Sequence, residues 1–104
     1  MEIRTEKKEG FCTIFITGDI DTLTAGELDT AIVSEVPECK EKDLILVLDF
    51  ANVEYISSSG LRAVVKARQQ MGEGKFKLVN VGRNVADVFK MTKFTKIIDI
   101  SEAE

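Results

Sequence analysis

The sequence predicts an α/β fold: a mixed sheet of four to five strands that opens with a β-hairpin and has helices packed against it. Three observations predict it. Ile3 to Lys7 and Phe11 to Thr17 read as strands joined through Lys8-Glu9-Gly10, where the glycine suits a tight hairpin. Leu44-Ile45-Leu46-Val47-Leu48 is an unbroken apolar run of strand length, which suits a strand covered on both faces. Strand-like and helix-like segments then alternate as ββαβαβα with a possible final β, and parallel strands need helical crossovers.

After the hairpin and the turn Gly18-Asp19-Ile20-Asp21-Thr22-Leu23, the segment Thr24-Ala25-Gly26-Glu27 has capping-box spacing. Leu28, Ile32 and Val36 continue one apolar face to Pro37, which is the expected end of the first helix. The charged stretch Glu38 to Asp43 reads as a loop leading into the apolar strand. Asn52-Val53-Glu54-Tyr55-Ile56-Ser57-Ser58-Ser59-Gly60-Leu61 follows as a strand-to-helix junction. Leu61, Val64, Val65, Arg68 and Met71 recur at helical spacing, so a helix is expected from near Ser58 to about Met71. Gly72 and Gly74 break that pattern. Phe76 to Val81 reads as another strand, and Val85, Val88 and Phe89 mark a short helix. Ile97-Ile98-Asp99-Ile100 is a candidate last strand before an acidic tail. The chain shows no repeat, low-complexity tract or linker.

Residues 1–104 have the length of a single domain. Apolar residues make up 44% of the chain and charged residues 31%, with a formal charge of −4. That balance argues against a nonspecific nucleic-acid surface or an anionic membrane surface and suits contact with a basic protein patch. No apolar leader-like segment follows Met1, and the run Leu44 to Leu48 is far too short to span a bilayer. The expectation is a cytoplasmic protein without membrane insertion. Cys12 and Cys39 lack CxxC spacing, and the chain has no histidine to complete a common zinc site or a Cys-His dyad. Both read as reduced structural thiols, Cys12 on a strand and Cys39 on a surface loop. With no P-loop or GxGxxG either, no metal or cofactor is expected.

The serine junction carries the chemistry. On a wheel oriented by Leu61, Val64, Val65, Arg68 and Met71, Ser58 projects toward Leu61 and Val65. Ser59 lies with Lys66 on the solvent side, with Arg62 at its edge, so Ser59 is expected to be exposed and Ser58 more buried. A phosphate on Ser59 would add roughly −1.5 to −2 charge beside free N–H groups at the positive end of the helix dipole. The plainer reading is that Ser57 or Ser58 caps the helix. Asp19 or Asp21 could likewise organise a turn before Thr24. Arg62 and Lys66 read first as solvated helix residues, and second as partners for a phosphate on Ser59.

With Gly18-Asp19-Ile20-Asp21 and Ser57-Ser58-Ser59-Gly60-Leu61 both in view, the chain resembles a STAS domain of the anti-sigma factor antagonist family over nearly its whole length. In that family a Gly-Glu-Leu-Asp-like turn precedes a buried strand leading to Asp-Ser-Ser/Thr-Gly-Leu. Order and spacing agree here. The resemblance implies a non-enzymatic protein whose unphosphorylated form binds an anti-sigma factor serine kinase of the GHKL type and thereby releases a sigma factor. It places the phosphoacceptor at Ser59, with Ser58 as the alternative, and assigns its reversal to a PP2C-type phosphatase. Asp21 matches the acidic position that engages the kinase. Asp19, Thr22, Ser57, Gly60, Leu61 and Arg62 complete the expected partner-binding surface with Ser58, on a chain expected to be a monomer when free.

The family's motif aspartate is Ser57 in this chain, which leaves no carboxylate directly beside the acceptor. That departure motivates an alternative, a constitutive STAS interaction module in a signalling scaffold or a lipid-transporter complex. A serine hydrolase is disfavoured because there is no histidine base and Lys66 lies about two turns from the serines. A receiver domain with Asp49 as acceptor is disfavoured by the opening hairpin and by the lack of an acidic pair after a first parallel strand.

Overall fold

Glu9 and Gly10 both take positive φ, 46° and 89°, giving the two-residue turn whose twist matches that of its flanking strands. It joins β1 (Glu2–Lys8) to β2 (Phe11–Thr17), with Lys8 paired to Phe11 and Glu2 to Thr17. The computed structural model describes residues 1–94 and 98–103. The chain continues through α1 (Ala25–Glu41), β3 (Ile45–Asn52), α2 (Ser58–Met71), β4 (Phe76–Val81), α3 (Arg83–Met91) and β5 (Asp99–Glu102).

The sheet has the order β1-β2-β3-β4-β5, antiparallel at the hairpin and parallel thereafter. Each helical crossover steps the same way across the sheet, so the right-handed rule puts the three helices of the described residues on one face. Alternation along the strands agrees. Cys12, Ile14 and Ile16 of β2, Leu46, Leu48 and Phe50 of β3, and Phe76 and Leu78 of β4 are buried in one core with the helices. The helices contribute Leu28, Ile32 and Val36 from α1, Val64 and Ala67 from α2, and Val85 and Phe89 from α3.

This topology corrects the expectation that the apolar strand is covered on both faces. The strand order never reverses, so none of the helices among the described residues crosses to the second face. There Val47 is sheltered by its in-register neighbours Thr13 and Lys77, while Asp49 is half-buried and Ala51 exposed. Cationic side chains lie over the aromatic ones instead. The Arg4 guanidinium lies 4.1 Å from the Phe15 ring centroid, and the Lys77 ammonium 5.0 Å from that of Phe11. Asp49 holds the Ala51 N–H at 2.9 Å and the Asn80 amide at 3.0 Å, so its carboxylate is engaged within the sheet.

Three further expectations are corrected. Helix α1 passes through Pro37 and ends at Glu41, and Cys39 sits on that helix fully buried rather than on a surface loop. The last turn is held by burial of Val36 and Cys39 and by Lys7 of β1, which pairs with Glu35 at 2.9 Å and also with Glu38. The final strand starts at Asp99 and takes Ser101 and Glu102 from the expected tail. Ile97 lies outside the described residues. Among those described, no helix is long and apolar enough to cross a membrane.

Candidate functional site

The turn after β2 and the turn after β3 are stitched together at one end of the sheet. Gly18 N–H donates to Asn52 O at 3.1 Å, Ile20 N–H to Tyr55 O at 2.9 Å, and Ser57 N–H to Ile20 O at 2.7 Å. Ile20 and Ile56 form a parallel bridge beyond the regular ladder. Gly18, at φ +115°, permits the chain to leave the strand there. The two motifs found in the sequence therefore share one surface.

Asp21 builds the entry to α1. Its Oδ1 accepts the backbone N–H of Thr24 at 2.8 Å and of Leu23 at 2.9 Å, while the Asp21 N–H donates to Thr24 Oγ1 at 2.9 Å. This is the reciprocal capping box, displaced three residues toward the N-terminus from the expected Thr24/Glu27 pair. Thr24 itself makes no side-chain cap bond to the helix. The Thr24 N–H, then the Thr24 hydroxyl, hold the Asp21 carboxyl below the usual carboxylate range. The turn-organising reading of Asp21 is thus a structural fact. Asp19 lends its carbonyl to the Thr24 hydroxyl at 2.8 Å.

Ser57 is the N-cap of α2: its hydroxyl accepts the Gly60 N–H at 3.2 Å and its side chain is buried. The cap at Ser57 therefore carries no charge. Gly60 is required by space, since a Cβ there would lie 2.6 Å from Ile20 Cγ2 and 2.7 Å from Ile56 Cγ1. Leu61 is buried beside them.

The other two serines reverse the expected order. Ser58 is exposed and Ser59 half-buried. The buried face of α2 comprises Gly60, Leu61, Ala63, Val64, Ala67 and Met71, whereas Val65 and Arg68 are only half-buried. At 100° per residue this turns the inward face by roughly 60° from the one chosen by large apolar residues. Small residues set the packing: Gly60, Ala63 and Ala67 are all buried, and Ala63 lines the seam with Ala25 and Gly26 of α1. The recurrence of Gly60, Ala63 and Ala67 at spacings of three and four was the available signal.

Ser59 consequently faces a shallow groove of about 290 Å³ between α1 and α2. Thr22, Ala25, Gly26 and Asp29 line one side, and Ser59, Arg62, Ala63 and Lys66 the other. Arg62 Nη2 donates to Ser59 Oγ at 3.3 Å. Lys66 Nζ lies 3.3 Å from Asp29 Oδ1. Sequence reasoning missed Asp29, which belongs to the opposite helix. It also missed the apolar flanks of the site: Leu23 is 87% exposed in the first turn and Tyr55 53% exposed in the second.

Residues 2–104 match the STAS domain family. The chain belongs to that family. It is 32% identical over 109 residues to the anti-sigma-B factor antagonist of Listeria monocytogenes serovar 1/2a, covering 100% of this chain and 93% of that protein. Membership of the anti-sigma factor antagonist family follows from that likeness. An anti-sigma factor antagonist from Mycobacterium paratuberculosis superposes with a TM-score of 0.85 at 25% identity, over 96% of this STAS chain and 84% of its own. An anti-sigma factor antagonist (STAS) domain protein from Planctomyces limnophilus shares the fold at TM-score 0.83 and 14% identity, over 98% and 90% of the two chains.

Proposed function

We propose that this STAS domain is a cytoplasmic, non-enzymatic anti-sigma factor antagonist, monomeric when free, whose unphosphorylated form binds an anti-sigma kinase and releases a sigma factor. The observation that carries the reading is the stitching of the Asp21 turn to the Ser57-Ser58-Ser59 helix start, which presents an acidic loop and the hydroxyls on one surface. The family's role for Asp21, engagement of a basic group on the kinase, is added to its capping role. Asp19, Thr22, Ser58 and Arg62 frame the same surface, and the expected contact residues Gly60 and Leu61 are buried and support it from beneath.

In this reading the γ-phosphoryl group of ATP passes to Ser59 Oγ, the hydroxyl proton is released and ADP leaves. The kinase supplies the catalytic groups, and a PP2C-type phosphatase reverses the step by hydrolysis. A dianion at the docking surface must be desolvated while it is repelled by any carboxylate near Asp21. A penalty of a few kcal/mol corresponds to an affinity loss on the order of 10².

Accessibility favours Ser58 as acceptor, whereas motif position favours Ser59. Phosphosite mapping of protein from its native cells, alongside Ser58→Ala and Ser59→Ala, separates them: we expect phosphate on Ser59 and its loss in Ser59→Ala only. Ser59→Asp is expected to weaken anti-sigma factor binding by about 10². The second reading, a constitutive interaction module, draws on the uncharged cap at Ser57. Unchanged affinity in Ser59→Asp, with no phosphate across growth and stress conditions, would establish that reading instead.

A further inference from the structure

We infer that the phosphorylated chain holds its own phosphate in the α1/α2 groove, with Arg62 as the direct counter-ion and Lys66 recruited to it from Asp29. The inference deepens the proposed function and rests on Ser59 as the acceptor.

Ser59 does not point into open water. Its hydroxyl already accepts from Arg62 Nη2 at 3.3 Å, so an ester oxygen at that position starts within reach of a guanidinium. A phosphate offers the planar, paired acceptors that a guanidinium binds best. Residues 59, 62 and 66 share a helix face, and the axial separation from Ser59 to Lys66 is about 10 Å at 1.5 Å per residue. Long side chains on a helix lean toward its N-terminus, which brings both cations back toward Ser59.

The groove contains one obstacle. The charged groups that line it with Ser59 are Arg62 and Lys66 on α2 and Asp29 on α1; its remaining lining is uncharged. Asp29 now holds Lys66 at 3.3 Å, with side chains 38% and 48% exposed. A pair that open to solvent is weakly held, so a dianion outcompetes a single carboxylate for the ammonium. Phosphorylation would then exchange an α1–α2 ion pair for a phosphate clamp within α2. The phosphate would be partly neutralised and screened by the groove walls before any phosphatase arrives.

Phosphoserine incorporated during translation at position 59 tests this whether or not a kinase ever modifies the chain, so failure here is distinguishable from failure of the acceptor assignment. Phosphoserine at exposed position 58 is the reference for the same helix end. We expect the 31P NMR titration of the Ser59 phosphate to fall at least half a pH unit below that of the Ser58 phosphate, about a threefold stronger acid. Arg62→Ala should abolish most of that difference and Arg62→Lys restore part of it. Asp29→Asn, by freeing Lys66, should lower the value further. Coincident titrations at 58 and 59, or a Ser59 value unmoved by Arg62→Ala, would overturn the clamp. No further fall in Asp29→Asn would overturn the recruitment of Lys66.

Discussion

At Gly60 one hydrogen atom separates a packed site from a clash. The Cβ of an alanine would meet Ile20 and Ile56, both buried and both in the bridge that joins the two functional turns. Neither can yield without moving that bridge. Gly60→Ala is therefore expected to destabilise the fold by about 1 to 3 kcal/mol despite alanine's better helix propensity. Urea unfolding checks it, with a lower midpoint at unchanged m-value as the expected result. A shift below about 0.5 kcal/mol would show that the turns relax freely around an added methyl group. Residue by residue, the Ser57 cap was legible because serine is a strong N-cap. The Asp21 box is hidden in the sequence because Thr24 and Glu27 present the same spacing, and only the path of the preceding turn decides which pair engages.

Helices were more legible by existence than by extent or orientation. α2 begins and ends where capping serine and Gly72 place it, yet its rotation is not legible from large apolar residues because half of its inward face is glycine and alanine, which carry little hydrophobic signal. The sequence alone ends α1 too early, because the local penalty of Pro37 masks the apolar stripe that Cys39 continues beyond Val36. Tertiary burial outweighs the local cost, but the cost persists. Pro37 is exposed, so its ring is not needed by the core. It withholds an N–H from the carbonyl of Val33 one turn earlier. Pro37→Ala should restore that bond and stabilise the protein by about 1 to 2 kcal/mol, less than the full helix-interior penalty because the unfolded chain regains freedom. A rise in the thermal midpoint would confirm the account. A fall would mean that the proline shapes the last turn against β1.

For the molecule as a whole, the alternation of strands and helices was readable from periodicity, whereas the one-sided helix layer follows from a strand order that periodicity does not encode. That one layer gathers Cys12 of β2 and Cys39 of α1 into the same core. Burial is the largest cause that raises both thiols, Cys12 to about 12, with the neighbouring sulfur and Glu35 adding to the rise at Cys12. The folded state therefore keeps these thiols neutral, while in the unfolded chain a thiol ionises near pH 8.5. A pKa raised by folding leaves stability intact below the unfolded value and erodes it as pH climbs toward the folded one. The Cys12 thiol should remove about 1.4 kcal/mol per pH unit between the unfolded and the folded value, and Cys39 acts in the same direction. Urea midpoints are thus expected to hold steady near neutrality and fall steeply from about pH 8.5 upward. Cys12→Ala, although less stable at pH 7 for loss of packing, should show a flatter alkaline slope. A thiol-specific disulfide reagent at pH 8 should modify neither cysteine until denaturant is added. Rapid labelling of the native protein, or an alkaline slope unchanged in Cys12→Ala, would mean that the layer between α1 and β2 opens far more readily than its packing implies.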